Sequence, residues 1–515
     1  MGVNVLIFTD CSARGFIRYS GAYTIASVLR DNGYTVQVID YFLLAGPEKV
    51  NAVIDKFVGN ETLMVGFSTT FMNLFSDYIE ESRINNSMFK FGNNVGVGYG
   101  ASSVPGFSLG VPISDSEMNE LRERIKKLNP KSQLVMGGAK AEFHKQSQID
   151  AFVLGYADKS IIEYLKYLEG KNPFFQYTDL GNNQISIDKD INADGYDFIN
   201  AETRYHESDM IRPGELLPIE ISRGCIFKCK FCAYRMIGRK KNDYTKTIEN
   251  LYAEIMYNYE HFGTTKYSFT DDTYNESVQK ITDLAEMFNR LPFKIEYVAY
   301  LRHDLIQRYP EMADILKESG LKTAVFGIET LNYESGKIIG KGLPPEKTRE
   351  MLQWLRDDKK WKNDIITHSG FIIGLPKESR DSVNKWMEEL LDFKYPLDTF
   401  AINALNLRPT AARLSKSEFE MNYKDYGYYF DSSKSKSWIN EYWKFEDTLS
   451  LAESAQSYAD HIGRTKLRAW QPMTMRNYGY DWEYINHVSS SAYNKDIFYK
   501  TIEWADDYYR KILSQ

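Results

Sequence analysis

Short apolar runs alternate with amphipathic stretches along residues 1–415. Residues 3–8, VNVLIF, form a first apolar run, which ends in the polar loop TDCSARGFIRYSG. A helical stretch follows in which Ile25, Val28 and Leu29 share a face, closed by Gly33 where a left-handed cap belongs. The pattern repeats through TVQVID, TLMVGFS (62–68), SQLVMGG (132–138) and DAFVLG (150–155), the last two separated by a short helical or loop segment. Strands alternating with helices predict an α/β first domain over residues 1–170. Its sheet should be parallel and doubly wound, with ligands at the carboxyl ends of the strands.

Between the third strand and a helix starting near Ser114 lies FGNNVGVGYGASSVPGFSLGVP, six glycines in 22 residues. It reads either as a loop over a ligand or as a plain surface excursion. Its G-x-G-x-G is not a dinucleotide fingerprint, which must sit in the first strand-to-helix turn. Ser114 followed by Glu117 forms a capping box that ends the loop.

After a polar linker over 171–213, a second series begins with LLPIEIS (216–222). It continues through KYSFT (266–270), KIEYVAYL (294–301), TAVFGIE (323–329), THSGFIIG (367–374) and TFAINALNL (399–407), with helical segments between. Six strands with crossover helices predict a partial (β/α)6 barrel of the TIM type over 214–415, its active site at the strand C-termini. From 416 to 515 the pattern turns mainly helical and carries Trp438, Trp443, Trp470, Trp482 and Trp504. The expected role of these is an aromatic core rather than base stacking.

Composition narrows the class. With 43% hydrophobic and 26% charged residues the chain is ordinary globular protein. No apolar run reaches the roughly 18 residues of a membrane span, and MGVNVLIFTD has neither a secretory pattern nor a myristoylation signal, so a cytoplasmic location is expected. A formal charge of -7 argues against a broad nucleic-acid surface. Four cysteines cannot make a disulfide framework, and clustered cysteines in a reducing compartment point to metal or catalysis.

Three of the four stand in GCIFKCKFC, as Cys225, Cys229 and Cys232, spaced C-x3-C-x2-C directly after the first strand of the second series. Structural zinc would need a fourth ligand, and the nearest candidate, His206, precedes the strand. An electron-transfer ferredoxin cluster also needs four cysteines. Three thiolates can hold three irons of a 4Fe-4S cluster and leave the fourth open to an exogenous ligand.

This C-x3-C-x2-C after the first strand of a partial barrel resembles the signature of the radical SAM superfamily. Phe231, before the last cysteine, matches the family aromatic that lies by adenine. By position FTDD resembles the segment receiving the amino group of S-adenosylmethionine, which nominates Asp271 and Asp272. Arg302 in YLRHD, Glu329 in FGIET, and Gly370 and Gly374 in GFIIGLPKE resemble later family motifs. Residues 1–170 resemble the Rossmann-like cobalamin-binding domain that precedes the barrel in B12-dependent members. The resemblance rests on SGAYTIASVLRDNGYTVQVIDY, VGFSTT, VMGGAKAE and DAFVLGYAD, and nominates Ser12, Gly15, Ser68, Gly137, Gly138 and Gly155. Where better known B12 modules carry D-x-H-x-x-G, this chain reads DCSARG with Ser12 at the His position, so histidine ligation of cobalt is not expected. That change permits a cobalt without a protein ligand and equally a domain that has lost B12. The family's G-E-G-E is altered to Gly155, Tyr156, Ala157 and Asp158. Cys11 reads as a small buried or loop residue.

The resemblance implies a 4Fe-4S cluster, S-adenosylmethionine and cobalamin as cofactors. The activity implied is formation of a 5'-deoxyadenosyl radical, followed by C-methylation of a substrate. The alternative is a radical rearrangement, cyclisation or oxidation with the first domain as scaffold; a third reading is a non-enzymatic iron-sulfur protein. Expected partners are an electron donor such as flavodoxin or ferredoxin and a small-molecule or nucleotide substrate. The basic run Lys228, Lys230, Arg235, Arg239, Lys240, Lys241 and Lys246 reads as a solvated face or as a greeting for phosphate or carboxylate.

Overall fold

The structure, a computed structural model, describes residues 2–11, 17–69, 72, 115–138, 141, 147–188, 196–233, 243–357, 359–362, 364–407, 416–430, 437–488 and 490–515. The short apolar runs of the first half become strands buried on both faces, as parallel pairing covered by helices requires. β1 (Val5–Phe8) lies between β2 (Val36–Ile39) and β3 (Met64–Ser68), with Val5 opposite both Val36 and Met64. β4 (Gln133–Gly137) and β5 (Ala151–Leu154) extend the sheet beyond β3 in parallel. The order reverses at β1, so a crevice is expected where β1 and β3 end.

The stretch expected as a linker adds two more strands. β6 (Thr178–Gly181) and β7 (Gln184–Asp188) form a hairpin whose β7 runs parallel to β5. Asn182 and Asn183 form the turn with φ of 53° and 60°, a conformation asparagine tolerates and that suits a two-residue hairpin. The signal was short: an Asn-Asn turn followed by only five strand residues.

The second sheet runs in sequence order, all parallel: β8 (Leu217–Ile219), β9 (Lys266–Phe269), β10 (Glu296–Leu301), β11 (Leu321–Glu329), β12 (Ile366–Ile373) and β13 (Thr399–Ala404). This is the expected partial barrel. Gly320 enters β11 at φ 102°, and a Cβ there would stand 2.1 Å from the Ile295 carbonyl oxygen, so only glycine fits.

The C-terminal residues are mainly helical; Leu467, Met475, Tyr478, Ile485, Val488 and Ile497 form a small core of their own, and other buried side chains enter the cores already built. Helix Phe445–His461 packs on β13, and Gln456 Oε1 accepts the Ile402 N–H at 2.9 Å, covering an edge that would otherwise offer free backbone donors. Trp438 and Trp443 belong to the barrel core. Met473, in helix Gln471–Asn477, joins Val298, Val325 and Leu216, while Ala505, Tyr508, Tyr509 and Ile512 of helix Ser490–Ser514 complete the core on one face of the first sheet.

A buried polar network ties these parts together. Arg18 donates from Nε to Glu215 Oε1 at 2.6 Å, from Nη1 to the Tyr23 hydroxyl and the Asp209 carbonyl, and from Nη2 to the Met210 carbonyl. Tyr23 donates to Asp40 Oδ2 at 2.8 Å, and Asp40 Oδ1 accepts the N–H groups of Cys11 and Tyr41. Tyr508 and Tyr509 donate to the Val38 and Asp40 carbonyls at 3.1 Å. Glu215→Ala, which leaves the buried Arg18 cation only the more distant Asp40 carboxylate at 3.8 Å, should cost about 3 kcal/mol, and the double change Arg18→Met with Glu215→Leu should recover only part of it, because Asp40 then loses its cation. Denaturant unfolding followed by tryptophan fluorescence measures both.

Candidate functional site

The cysteine loop leaves the carboxyl end of β8 and is fixed by capture rather than by regular structure. At its root Arg223 is nearly buried. Nη1 and Nη2 donate to the two oxygens of Asp158 at 2.6 and 2.9 Å, and Nε and Nη2 to Glu220 at 2.9 and 3.1 Å. Its guanidinium lies 4.4 Å from the centroid of Tyr156 and 4.5 Å from that of Phe198. The altered residues after β5, Tyr156 and Asp158, therefore hold the residue that precedes Gly224 and Cys225. Further along, Lys230 N–H donates to the Ile339 carbonyl at 3.1 Å, and the Lys230 carbonyl accepts Phe419 N–H at 3.0 Å. Gly340, at φ 84°, brings its missing side chain to 3.7 Å from Cys229 Cα, so the helix Tyr333–Ile339 ends against the loop.

Cys225, Cys229 and Cys232 are partly buried free thiols. Burial pushes the Cys225 thiol up, against hydrogen bonds shared with the Thr273 hydroxyl, 3.1 Å from Sγ, and with Phe227 N–H. Thr273 was missed in the sequence, where a threonine after an Asp pair carries no signal of its own. The two nominated aspartates separate. Asp271 is occupied within the fold, Oδ1 accepting Thr273 N–H at 2.9 Å and Oδ2 taking Lys280 Nζ at 2.6 Å. Asp272, after β9, is reached by solvent, yet protein crowds it on most sides. That desolvation, then the charges of Asp271 and Glu220, pushes its carboxyl up to about 7.

Phe231 packs partly buried against the barrel core. Arg302, at the end of β10, points back to the loop, with Nη1 3.5 Å from Cys229 Sγ. Glu329 ends β11 in the left-handed region at φ 70°, and its carboxyl is raised by burial against the opposing charge of Lys341, whose Nζ lies 4.0 Å from Oε1. Gly370 leaves room beside Asn403, whose Nδ2 is 3.9 Å from the position a Cβ would take and whose buried Oδ1 has no hydrogen-bond partner. Such an orphaned acceptor inside a barrel invites a ligand. Only its polarity within TFAINA could have flagged Asn403. Gly374 has a packing reason for its identity: at φ 99° a Cβ would meet Trp438 at 2.5 Å.

The basic run does not act as one face. Lys246 is buried in an ion pair with Glu254 at 2.6 Å, which corrects its assignment to a solvated or anion-greeting surface. Lys228 is exposed. Arg235, Arg239, Lys240 and Lys241 lie outside the described residues, as do Ser12, Gly15, Ser114 and the glycine-rich loop. Ser68 and Gly137 sit opposite each other at the ends of β3 and β4, and Gly138 and Gly155 take positive φ of 96° and 80° where β4 and β5 turn out. Cys11 is buried as expected. Burial, then the charges of Asp40 and Asp10, keeps its thiol protonated.

Among the described residues no three His, Cys, Asp or Glu side chains converge to hold a single metal ion. A cubane cluster takes its thiolates on different irons, which suits three cysteines on one loop. The three-cysteine loop thus fits an iron-sulfur cluster. The loops after β1, β3 and β4 that would face a corrinoid lie largely outside the described residues.

Residues 219–390, which follow the doubly wound sheet, match the model of the Radical SAM superfamily. An uncharacterised methyltransferase of Pyrococcus horikoshii is 26% identical over 183 residues, 35% of this chain and 38% of that protein. Bacteriochlorophyllide d C-12(1)-methyltransferase of Chlorobaculum tepidum is 24% identical over 190 residues, 36% of this chain and 40% of that protein. The chain spans about two fifths of the length of these curated relatives. The radical S-adenosylmethionine methyltransferase TsrM of Kitasatospora setae, solved with cobalamin and a 4Fe-4S cluster bound, has a TM-score of 0.63 at 14% identity. That match covers 97% of this chain and all of that one, a likeness of fold.

Glu378, which closes GFIIGLPKE, is fully buried, its Oε1 accepting from the Thr330 hydroxyl at 2.6 Å and from the Trp386 indole at 3.1 Å. Burial pushes this carboxyl up to about 7 from an ordinary 4.5. Folding therefore favours its protonated form: stability is unaffected below pH 4.5, falls as pH rises to about 7, and is then lower by about 3 kcal/mol. Glu378→Gln should remove this part of the pH dependence, read from denaturation midpoints between pH 4.5 and 8.

Proposed function

We propose that this protein is a cobalamin-dependent radical SAM enzyme, a C-methyltransferase acting on a small-molecule or nucleotide substrate. The observation that carries the reading is the C-x3-C-x2-C loop at the mouth of a parallel half-barrel that follows a doubly wound sheet. Support comes from the family match at 219–390 and from relatives and a fold neighbour that are named as methyltransferases. When bound, the cluster would supply the electron that cleaves S-adenosylmethionine to a 5'-deoxyadenosyl radical, and cobalamin would carry the methyl group.

The chain's own residues hold and screen. Cys225, Cys229 and Cys232 would ligate three irons. Asp272 offers a solvent-reached carboxylate and Asn403 a buried acceptor toward S-adenosylmethionine, while Phe231 walls the cleft. Among the described residues no helix is long and apolar enough to cross a membrane. We place the enzyme in the cytoplasm, where thiols stay reduced, with a flavodoxin or ferredoxin as electron donor.

Anaerobic reconstitution with iron, sulfide and hydroxocobalamin should give a 4Fe-4S spectrum, retained corrinoid absorption and 5'-deoxyadenosine under dithionite. Cys229→Ala should lose the cluster and all S-adenosylmethionine cleavage. Wild-type turnover in that variant sinks the reading, whereas cleavage without corrinoid retention would leave a radical enzyme with its first domain as scaffold.

A further inference from the structure

Arg302 is the cation whose head group reaches a sulfur of the cysteine loop. Its backbone is pinned by Asn275, which donates from Nδ2 to the Arg302 carbonyl at 3.0 Å and accepts Arg302 N–H on Oδ1 at 2.8 Å. Its head group is held on three sides. Nε and Nη2 donate to the two oxygens of Asp304 at 3.0 and 2.7 Å, Nη2 also reaches the Gly340 carbonyl at 3.3 Å, and the guanidinium carbon lies 4.1 Å from the Phe227 ring centroid. Nη1 is left to face Cys229 Sγ at 3.5 Å. Arg302 is 6% exposed, and swinging away to meet an anion elsewhere would break all of these contacts at once.

We propose that Arg302 is a positioning residue for the Cys229 sulfur: it donates an N–H to the ligating thiolate and biases a bound cluster toward its reduced state. Asp304 then sets how much of that positive charge the sulfur feels. The inference rests on the iron-sulfur reading given above. A hydrogen bond to the sulfur draws charge from the ligand, and a fixed cation stabilises the added electron, so both act to raise the reduction potential. The cleft's reduced dielectric strengthens the effect relative to water. Lysine cannot replace the guanidinium here, because a single ammonium cannot serve Asp304, Gly340 and Cys229 in one plane.

The test is an EPR-monitored redox titration of the reconstituted full chain without S-adenosylmethionine, with iron and sulfide content measured alongside. Arg302→Met should retain iron yet lower the ratio of reduced to oxidised cluster at a fixed potential about tenfold, a shift of about 59 mV to more negative values. Asp304→Asn, which unmasks the cation, should shift the midpoint the opposite way. A purely structural role would lower cluster content in both variants without splitting their midpoints. Midpoints equal to wild type, or both moving in one direction, overturn the inference. If Arg302→Met fails to fold, the sign of the Asp304→Asn shift decides alone, a positive shift supporting the inference and no shift or a negative one overturning it. A wild-type chain that takes up no cluster overturns the functional reading as well, whereas a loaded wild type with unshifted variants overturns only the role of Arg302.

Discussion

Two guanidinium groups almost stripped of water hold the molecule in one frame. Arg18, just after the loop that leaves β1, reaches Glu215, two residues before β8; Arg223, at the root of the cysteine loop, reaches back to Asp158 beyond β5. The ties run in opposite directions between the two sheets, and their side chains are at most 3% exposed. Buried ion pairs add little net stability over apolar substitutes, but separating one leaves a charge with no solvent to receive it. The relative placement of the sheets is therefore expensive to change. The ties also fix where the β1 loop ends, at Arg18, and where the cysteine loop begins, at Arg223.

The site between these anchors is assembled from distant parts. The cysteine loop has scarcely any regular structure, and its backbone is caught by Ile339 from one helix end and by Phe419 from the C-terminal segment. Its sulfurs meet Thr273 after β9 and Arg302 after β10. A loop that must accept a large inorganic group gains from being gripped by its backbone and flanks, because its side chains are then left for ligation. The left-handed Glu329 and the orphaned Asn403 acceptor lie at the ends of further strands of the same sheet, where rigid elements can hold them against a ligand.

The C-terminal residues serve the same end. A half-barrel leaves an open strand, and helix Phe445–His461 covers β13 with Gln456 capping a backbone donor. Helix Ser490–Ser514 closes the first sheet's core and sends Tyr508 and Tyr509 hydroxyls to the end of β2. The aromatic richness of this region thus reflects the filling of several cores.

The sequence by itself determined the two main strand series, the parallel pairing of β1 to β5 and of β8 to β13, and the cysteine loop, because hydrophobic period and ligand spacing are local properties of the chain, whereas the short hairpin β6–β7 escaped it. It also identified Gly320-type constraints only as glycines, since the carbonyl that forbids a side chain there belongs to Ile295, distant in sequence. Tertiary structure alone decided that Asp271 is spent on Lys280 while Asp272 stays exposed, that Lys246 is a buried partner of Glu254, and that Arg302 turns to Cys229. Each of these depends on which charge lies across a gap of a few ångströms. A chain spells out its charges in order, but their pairing is fixed only when folding removes the water between them.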